Sequence, residues 1–162
     1  MSRPAAPDAY TLALRLLGRR GRSSADLAAR LRSKGCAEQA IDSALQRCHE
    51  LGYLDDARLA AERAGQLVRA GRAIGPALQL RLQREGFDSA ICHQATATYA
   101  DADLQRRQLA AVAERRFGDP ARFSADARQQ RRLIQYLQRR GFALSQIFDY
   151  LNERQTNVYD DR

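Results

Sequence analysis

The side chains in this sequence that could do chemistry are the adjacent carboxylates Asp55-Asp56, the dipeptides Cys48-His49 and Cys92-His93, and a recurring set of arginine pairs. Neighbours on a helix point about 100° apart, so a Cys-His dipeptide does not readily share one metal ion. No Cys-x-x-Cys or His-x-x-x-His spacing completes a zinc set. Three cysteines without paired spacing do not make a disulfide framework; Cys36 and Cys48 fall at apolar positions of helical patterns and read as small core residues. There is no phosphate-binding glycine loop, and two histidines without a nucleophile motif give no triad. Asp55-Asp56 has a simpler reading than an acid–base or metal pair: Asp55 caps a helix by accepting its free N–H groups, and Asp56 suits the positive end of the helix dipole. The chain therefore offers no catalytic residue, no metal set and no cofactor motif, and is expected not to be an enzyme.

What remains is arginine. The formal net charge is +8 and the pI about 10.1, which favours an acidic partner, with nucleic acid the first candidate. Lys34 is the only lysine, so part of the arginine count reflects coding bias, but bias does not explain the excess over acids. Candidate partner contacts in the first half are Arg20, Arg22, Arg32, Lys34 and Arg58. Arg69, Arg72, Arg81 and Arg84 follow in the middle, and Arg128, Arg131, Arg132 and Arg139 toward the end. On a helix over 125–140, Leu133 and Leu137 share one side within about 40°, while Arg128, Arg131 and Arg139 fall opposite. Most of these arginines form a solvated face; a subset would make a basic strip that binds phosphate or carboxylate through forked hydrogen bonds. Aromatics do not interleave with them in a base-stacking pattern, so base reading along a single strand is weak.

The elements that position these groups are helices. Ala, Leu, Arg and Gln make up over half the chain, while Val, Ile and Thr total 12, too few for much sheet. The organising corner is Leu51–Leu59. Gly52 takes the left-handed conformation that closes a helix, Tyr53 folds back on Cys48, Asp55 caps the next helix, and Leu54 with Leu59 stands at the positions of a hydrophobic staple. Ser23 to Asp26 offers a capping box. The helix stops repeat: Leu31 with Gly35-Cys36, Leu82 with Gly86-Phe87, and Leu137 with Gly141-Phe142 are Schellman-type endings, each preceded by a further leucine (Leu27, Leu78, Leu133) and followed by Ile41, Ile91 or Ile147. The glycines lie 51 and 55 residues apart, a repeat period of three helices.

The spacing predicts helices over 9–19, 24–34, 38–51, 56–70, 76–85, 88–99, 102–117, 125–140 and 144–153, with Pro76 in the first turn of its helix and Ser124 as a cap. The expected fold class is all-α: three tandem three-helix repeats forming an elongated curved array. The expected divisions are a flexible tail over 1–8, repeats over 9–53, 54–100 and 101–153, and a C-terminal tail over 154–162. The absence of a long apolar run or secretory pattern leads to the expectation of a soluble, cytoplasmic chain, read here as a monomer.

On these residues the chain resembles the RecX family, regulators of the RecA recombinase. Gly52-Tyr53-Leu54-Asp55-Asp56 with Arg58 looks like that family's most recognisable stretch. Arg20, Ser23, Asp26 and Leu27 match its second helix. Arg69, Gly71, Gly75-Pro76, Leu82 and Gly86 look like its middle repeat, and Arg116-Phe117-Gly118, Phe123-Ser124 and Arg140-Gly141-Phe142 its C-terminal repeat. The likeness spans about residues 10–152. Two departures stand out: Arg81 sits where the family often has glutamate just before Leu82, and Gly75-Pro76 lies one residue closer to Leu82 than the family pattern leads one to expect. The resemblance implies a non-enzymatic protein that lies in the groove of a RecA filament on single-stranded DNA and suppresses ATP hydrolysis, strand exchange and coprotease activity. The competing expectation is a stand-alone DNA-binding protein of helix-turn-helix type, which would bind duplex DNA tightly and by sequence without RecA.

Overall fold

The structure, a computed structural model, describes residues 8–119 and 126–160, with side chains as far as Arg154. The described residues form nine helices and no strand: α1 (Ala9–Leu17), α2 (Ser24–Ser33), α3 (Glu38–Glu50), α4 (Asp56–Arg69), α5 (Gly75–Arg84), α6 (Ser89–Ala97), α7 (Ala102–Phe117), α8 (Ala127–Gln138) and α9 (Leu144–Asp160). Eight of them start and end within two residues of the expected bounds, and α9 is the exception. Helix α8 starts at Ala127 because the Asp126 carboxylate accepts from the N–H groups of Arg128 and Gln129; Ser124 lies outside the described residues. Helix α9 runs on to Asp160 instead of stopping at 153. At the N-terminus the Asp8 carboxylate caps α1 by accepting from the Tyr10 and Thr11 N–H groups; the rest of the expected tail lies outside the described residues.

The repeated helix stop is real and has one geometry. After each of α2, α5 and α8 the residue following glycine donates its N–H to the leucine carbonyl five residues back: Cys36 to Leu31 at 3.2 Å, Phe87 to Leu82 at 3.3 Å and Phe142 to Leu137 at 3.3 Å. Gly35, Gly86 and Gly141 all have positive φ. Helix α3 ends the same way, with Tyr53 N–H on Cys48 O at 2.8 Å. So does α4, with Arg72 N–H on Leu67 O at 2.8 Å across Gly71, a stop the sequence reading had not singled out. The apolar partners are core: Leu27, Leu31, Leu78, Leu82, Leu133 and Leu137 are fully buried, and cutting any one to alanine would cost about 2–5 kcal/mol. The third repeated apolar position needs correcting. Cys92, not Ile91, matches Ile41 and Ile147; it is fully buried five residues after Phe87, whereas Ile91 is half-exposed.

The chain packs as two compact units: residues through Arg63 with Leu82–Ala95, and Ala64–Arg81 with the remainder from Thr96. In the first unit α1, α2 and α3 close over Leu27, Leu31, Ile41, Ala44 and Cys48. In the second, α7, α8 and α9 close over Leu109, Val112, Leu133, Leu137, Phe142 and Ile147, and Ile74 joins that core.

Each unit contains one joint between successive repeats, built alike. In the first unit the stop after α5 sits on the opening turn of α2: a β-carbon on Gly86 would lie 2.8 Å from Ser23 Oγ, and that hydroxyl donates to the Glu85 carbonyl at 2.7 Å. In the second unit the stop after α8 sits on the opening turn of α5: a β-carbon on Gly141 would strike the Ile74 carbonyl and lie 2.8 Å from Ala77 Cβ, and Ile74 N–H donates to the Arg140 carbonyl at 2.8 Å. The stop glycine lets one helix end press onto the start of another.

Candidate functional site

Beside the joint of the first unit lies an open cleft of about 530 Å³. Its walls come from the loop before α2, the first turn of α2, one face of α4 and the end of α5. Arg20, Arg22, Arg63 and Arg84 face it, against only two carboxylates, Asp26 and Glu85. Leu59 on α4 lies against Gly21, where any side chain would collide with its methyl group, so the small residue sets the closeness of the wall.

The local structure fixes these charges unequally. Ser23 caps α2, its Oγ accepting from Asp26 N–H at 3.2 Å. The reciprocal half of the expected capping box is not what Asp26 does: its carboxylate instead takes Arg22 Nη1 at 2.7 Å and Arg30 Nε at 3.0 Å. Burial alone would push the Asp26 carboxyl up, but the hydrogen bonds and charges of Arg22 and Arg30 outweigh it and hold it below the ordinary value. Arg22, counted among the surface candidates, has only 7% of its side chain exposed and also donates from Nε to the Leu16 carbonyl at 3.3 Å. It is therefore a fixed positive wall and not a free arm. Arg63 reaches Glu85 at 3.7 Å. Arg20 and Arg84 are exposed at the rim and form no ion pair with a carboxylate of the described residues.

Elsewhere the candidates scatter. Arg32 is exposed but paired with Glu38 at 2.5 Å, and Arg58 reaches Asp55 at 4.0 Å. Lys34, Arg69, Arg72 and Arg81 stand exposed. Arg128, Arg131, Arg132 and Arg139 lie on the solvent side of α8, opposite buried Leu133 and Leu137. Two arginines that composition could not set apart have structural work in the second unit. Arg140 is half-buried, its guanidinium carbon 3.4 Å over the Tyr136 ring, and it donates from Nε to the Gly71 carbonyl at 2.9 Å. Arg115 donates to the Ala70 carbonyl at 3.1 Å, so both satisfy the end of α4.

The acidic pair does what capping predicts, and more. Asp55 accepts from Arg58 N–H at 2.9 Å. Asp56 reaches across to α2, both oxygens accepting from Ser24 N–H at 3.0 and 3.1 Å. His49 sits in the same corner, Nε2 3.0 Å from Ser24 Oγ and Nδ1 3.2 Å from the Leu54 carbonyl. These groups are consumed in locking α2, α3 and α4 together. Among the described residues no group of three His, Cys, Asp or Glu stands close enough to hold a metal ion. The three cysteines are buried and form no disulfide, and burial raises the Cys48 and Cys92 thiols. No helix of the described residues is long and apolar enough to cross a membrane.

Residues 9–48 match the sequence profile of the RecX first three-helix domain, and 103–151 that of the RecX third three-helix domain. The regulatory protein RecX of Syntrophotalea carbinolica is 41% identical over 146 residues, spanning 90% of this chain and 95% of the relative. The chain belongs to the RecX family. The RecX regulatory protein of Trichlorobacter lovleyi is 34% identical over 146 residues, covering 88% of this chain and 94% of its own. The crystal structure of RecX from Lactobacillus salivarius superposes with a TM-score of 0.77 over 91% of this chain and 95% of that one, at 23% identity, which establishes a shared RecX fold of three-helix repeats. Membership supports a regulatory role for the chain.

Proposed function

We propose that the chain is a negative modulator of RecA, binding the groove of the RecA filament on single-stranded DNA and lowering its ATPase, strand-exchange and coprotease activities. The observation that carries this reading is family membership over nearly the full length of a regulatory relative. The chemistry supports it: the net charge of +8 suits an anionic partner, and most candidate arginines are exposed on helices whose other side is core. Cytoplasmic location, a role in recombination and the SOS response, and action as a monomer without cofactor belong to the same proposal. The divisions at 53/54 and 100/101 are likewise proposed as repeat boundaries.

The test is RecA's DNA-dependent ATPase on single-stranded DNA. Substoichiometric protein should depress the steady-state rate; an unchanged rate at equimolar protein would reject the reading. A stand-alone sequence-specific binder would instead retain tight binding to one duplex at physiological salt with RecA absent.

A further inference from the structure

The two repeat joints invite a comparison position by position. By the 51- and 55-residue spacing of the stop glycines, Ser23, Glu85 and Phe87 in the first unit occupy the places of Ile74, Arg140 and Phe142 in the second. In the second unit the long Arg140 side chain turns inward over Tyr136 to the Gly71 carbonyl, and the slot it lines has no room for a water molecule. In the first unit the same place carries Glu85, which turns to Arg63, and about 530 Å³ stays open. A joint that one copy seals is therefore left unsealed in the other, and four guanidinium groups line the opening.

We infer that this cleft binds a phosphodiester of a nucleic-acid strand, independent of base sequence. Four arginines against two carboxylates leave it positive. The concave walls concentrate that charge. Arg22 is held in place by Asp26 and the Leu16 carbonyl, so part of the site is organised before any ligand arrives. Arg20 and Arg84 at the rim supply forked donors without a competing ion pair, which fits the non-bridging oxygens of a phosphate. No aromatic ring is exposed in the cleft for a base to stack on, since Phe87 is core. A peptide would need an apolar anchor, and the exposed large apolar residues (Leu51, Tyr53, Leu80, Leu144, Phe148) all lie outside this lining. The inference rests on these residues and not on the RecA reading, so the two can fail separately.

The test uses the full chain alone and a short fluorescein-labelled oligothymidylate, read by anisotropy across a salt series. Arg20→Glu with Arg84→Glu should weaken binding by about tenfold or more and lower the slope of log affinity on log salt by about one. Arg106→Glu with Arg107→Glu, the same charge change on α7, should weaken it far less. Equal loss in both variants would overturn the inference, because binding would then follow overall charge. Should the first variant melt early, Arg20→Gln with Arg84→Gln replaces it, and undiminished affinity there overturns the inference too. Polyglutamate matched in charge should displace the oligonucleotide poorly; displacement as efficient as by unlabelled oligothymidylate would overturn the assignment to phosphodiester. Failure of the wild-type chain to slow RecA would reject the proposed function while leaving these outcomes untouched.

Discussion

At the scale of single residues, the stop glycines separate backbone conformation from packing. Gly35 and Gly141 end their helices with the same hydrogen bonds and φ of +83° and +98°. Around Gly35 a β-carbon would meet nothing within 4 Å; at Gly141 it would drive into the Ile74 carbonyl. Gly35→Ala should therefore cost only the left-handed penalty, about 1–2 kcal/mol. Gly141→Ala should cost about 3 kcal/mol or more, because the joint itself must open. Urea unfolding of the two variants checks this, and equal losses would mean the joint yields freely. Asp26 gives a pH signature. Its folded pKa lies below the ordinary carboxyl value of 3.8, so the folded state binds fewer protons than the unfolded one in that window. The stability it contributes is fully present above that value and is lost as pH falls through the lower folded value. Asp26→Asn should be less stable than the wild type near neutrality, with the gap narrowing below about pH 4. Parallel stability curves down to acid would remove Asp26 from the account.

At the scale of elements, sequence reading succeeded where a local rule determines the outcome. The leucine–glycine–apolar stop, the Asp55 cap and the 3.6-residue stripes each depend on a few neighbouring residues, so eight helices fell where their spacing put them. It missed what distance in the chain hides. Asp56 reads as a helix-dipole residue but also caps α2, 32 residues away. Arg140 reads as surface charge but ends α4 through Gly71, 69 residues away. The stacked, forked geometry makes a specific prediction: Arg140→Ala should destabilise by about 2–3 kcal/mol, since a buried charged hydrogen bond and a ring contact are both lost. Arg140→Lys should recover little, because an ammonium lacks the planar fork. Full recovery by lysine in thermal melts would show that charge alone holds the joint.

At the scale of the whole molecule, the question is which part of the excess positive charge meets a partner. Arg69 and Arg72 flank the α4 stop and are both exposed, so reversing them should leave folding intact. If the proposed function holds, Arg69→Glu with Arg72→Glu should weaken inhibition of the RecA ATPase by roughly tenfold at low salt, with the difference from the wild type narrowing as salt rises. Inhibition and melting temperature both at wild-type levels would make these residues bystanders. The comparison with the cleft variant then separates contacts to nucleic acid from contacts to protein.

The amino-acid order by itself determined the helical class, the repeat period and the glycine endings, because each follows from propensity, periodicity and hydrogen bonds closed within about six residues. It also led to the RecX resemblance, carried by the Gly52–Asp56 corner. It did not single out which arginines matter, since a charged helix face looks the same in sequence whether it meets water, a carbonyl or a cleft. Only the tertiary structure brought Arg20, Arg22, Arg63 and Arg84 to one opening and turned Arg140 inward, because burial and charge partners are set by residues far apart in the chain.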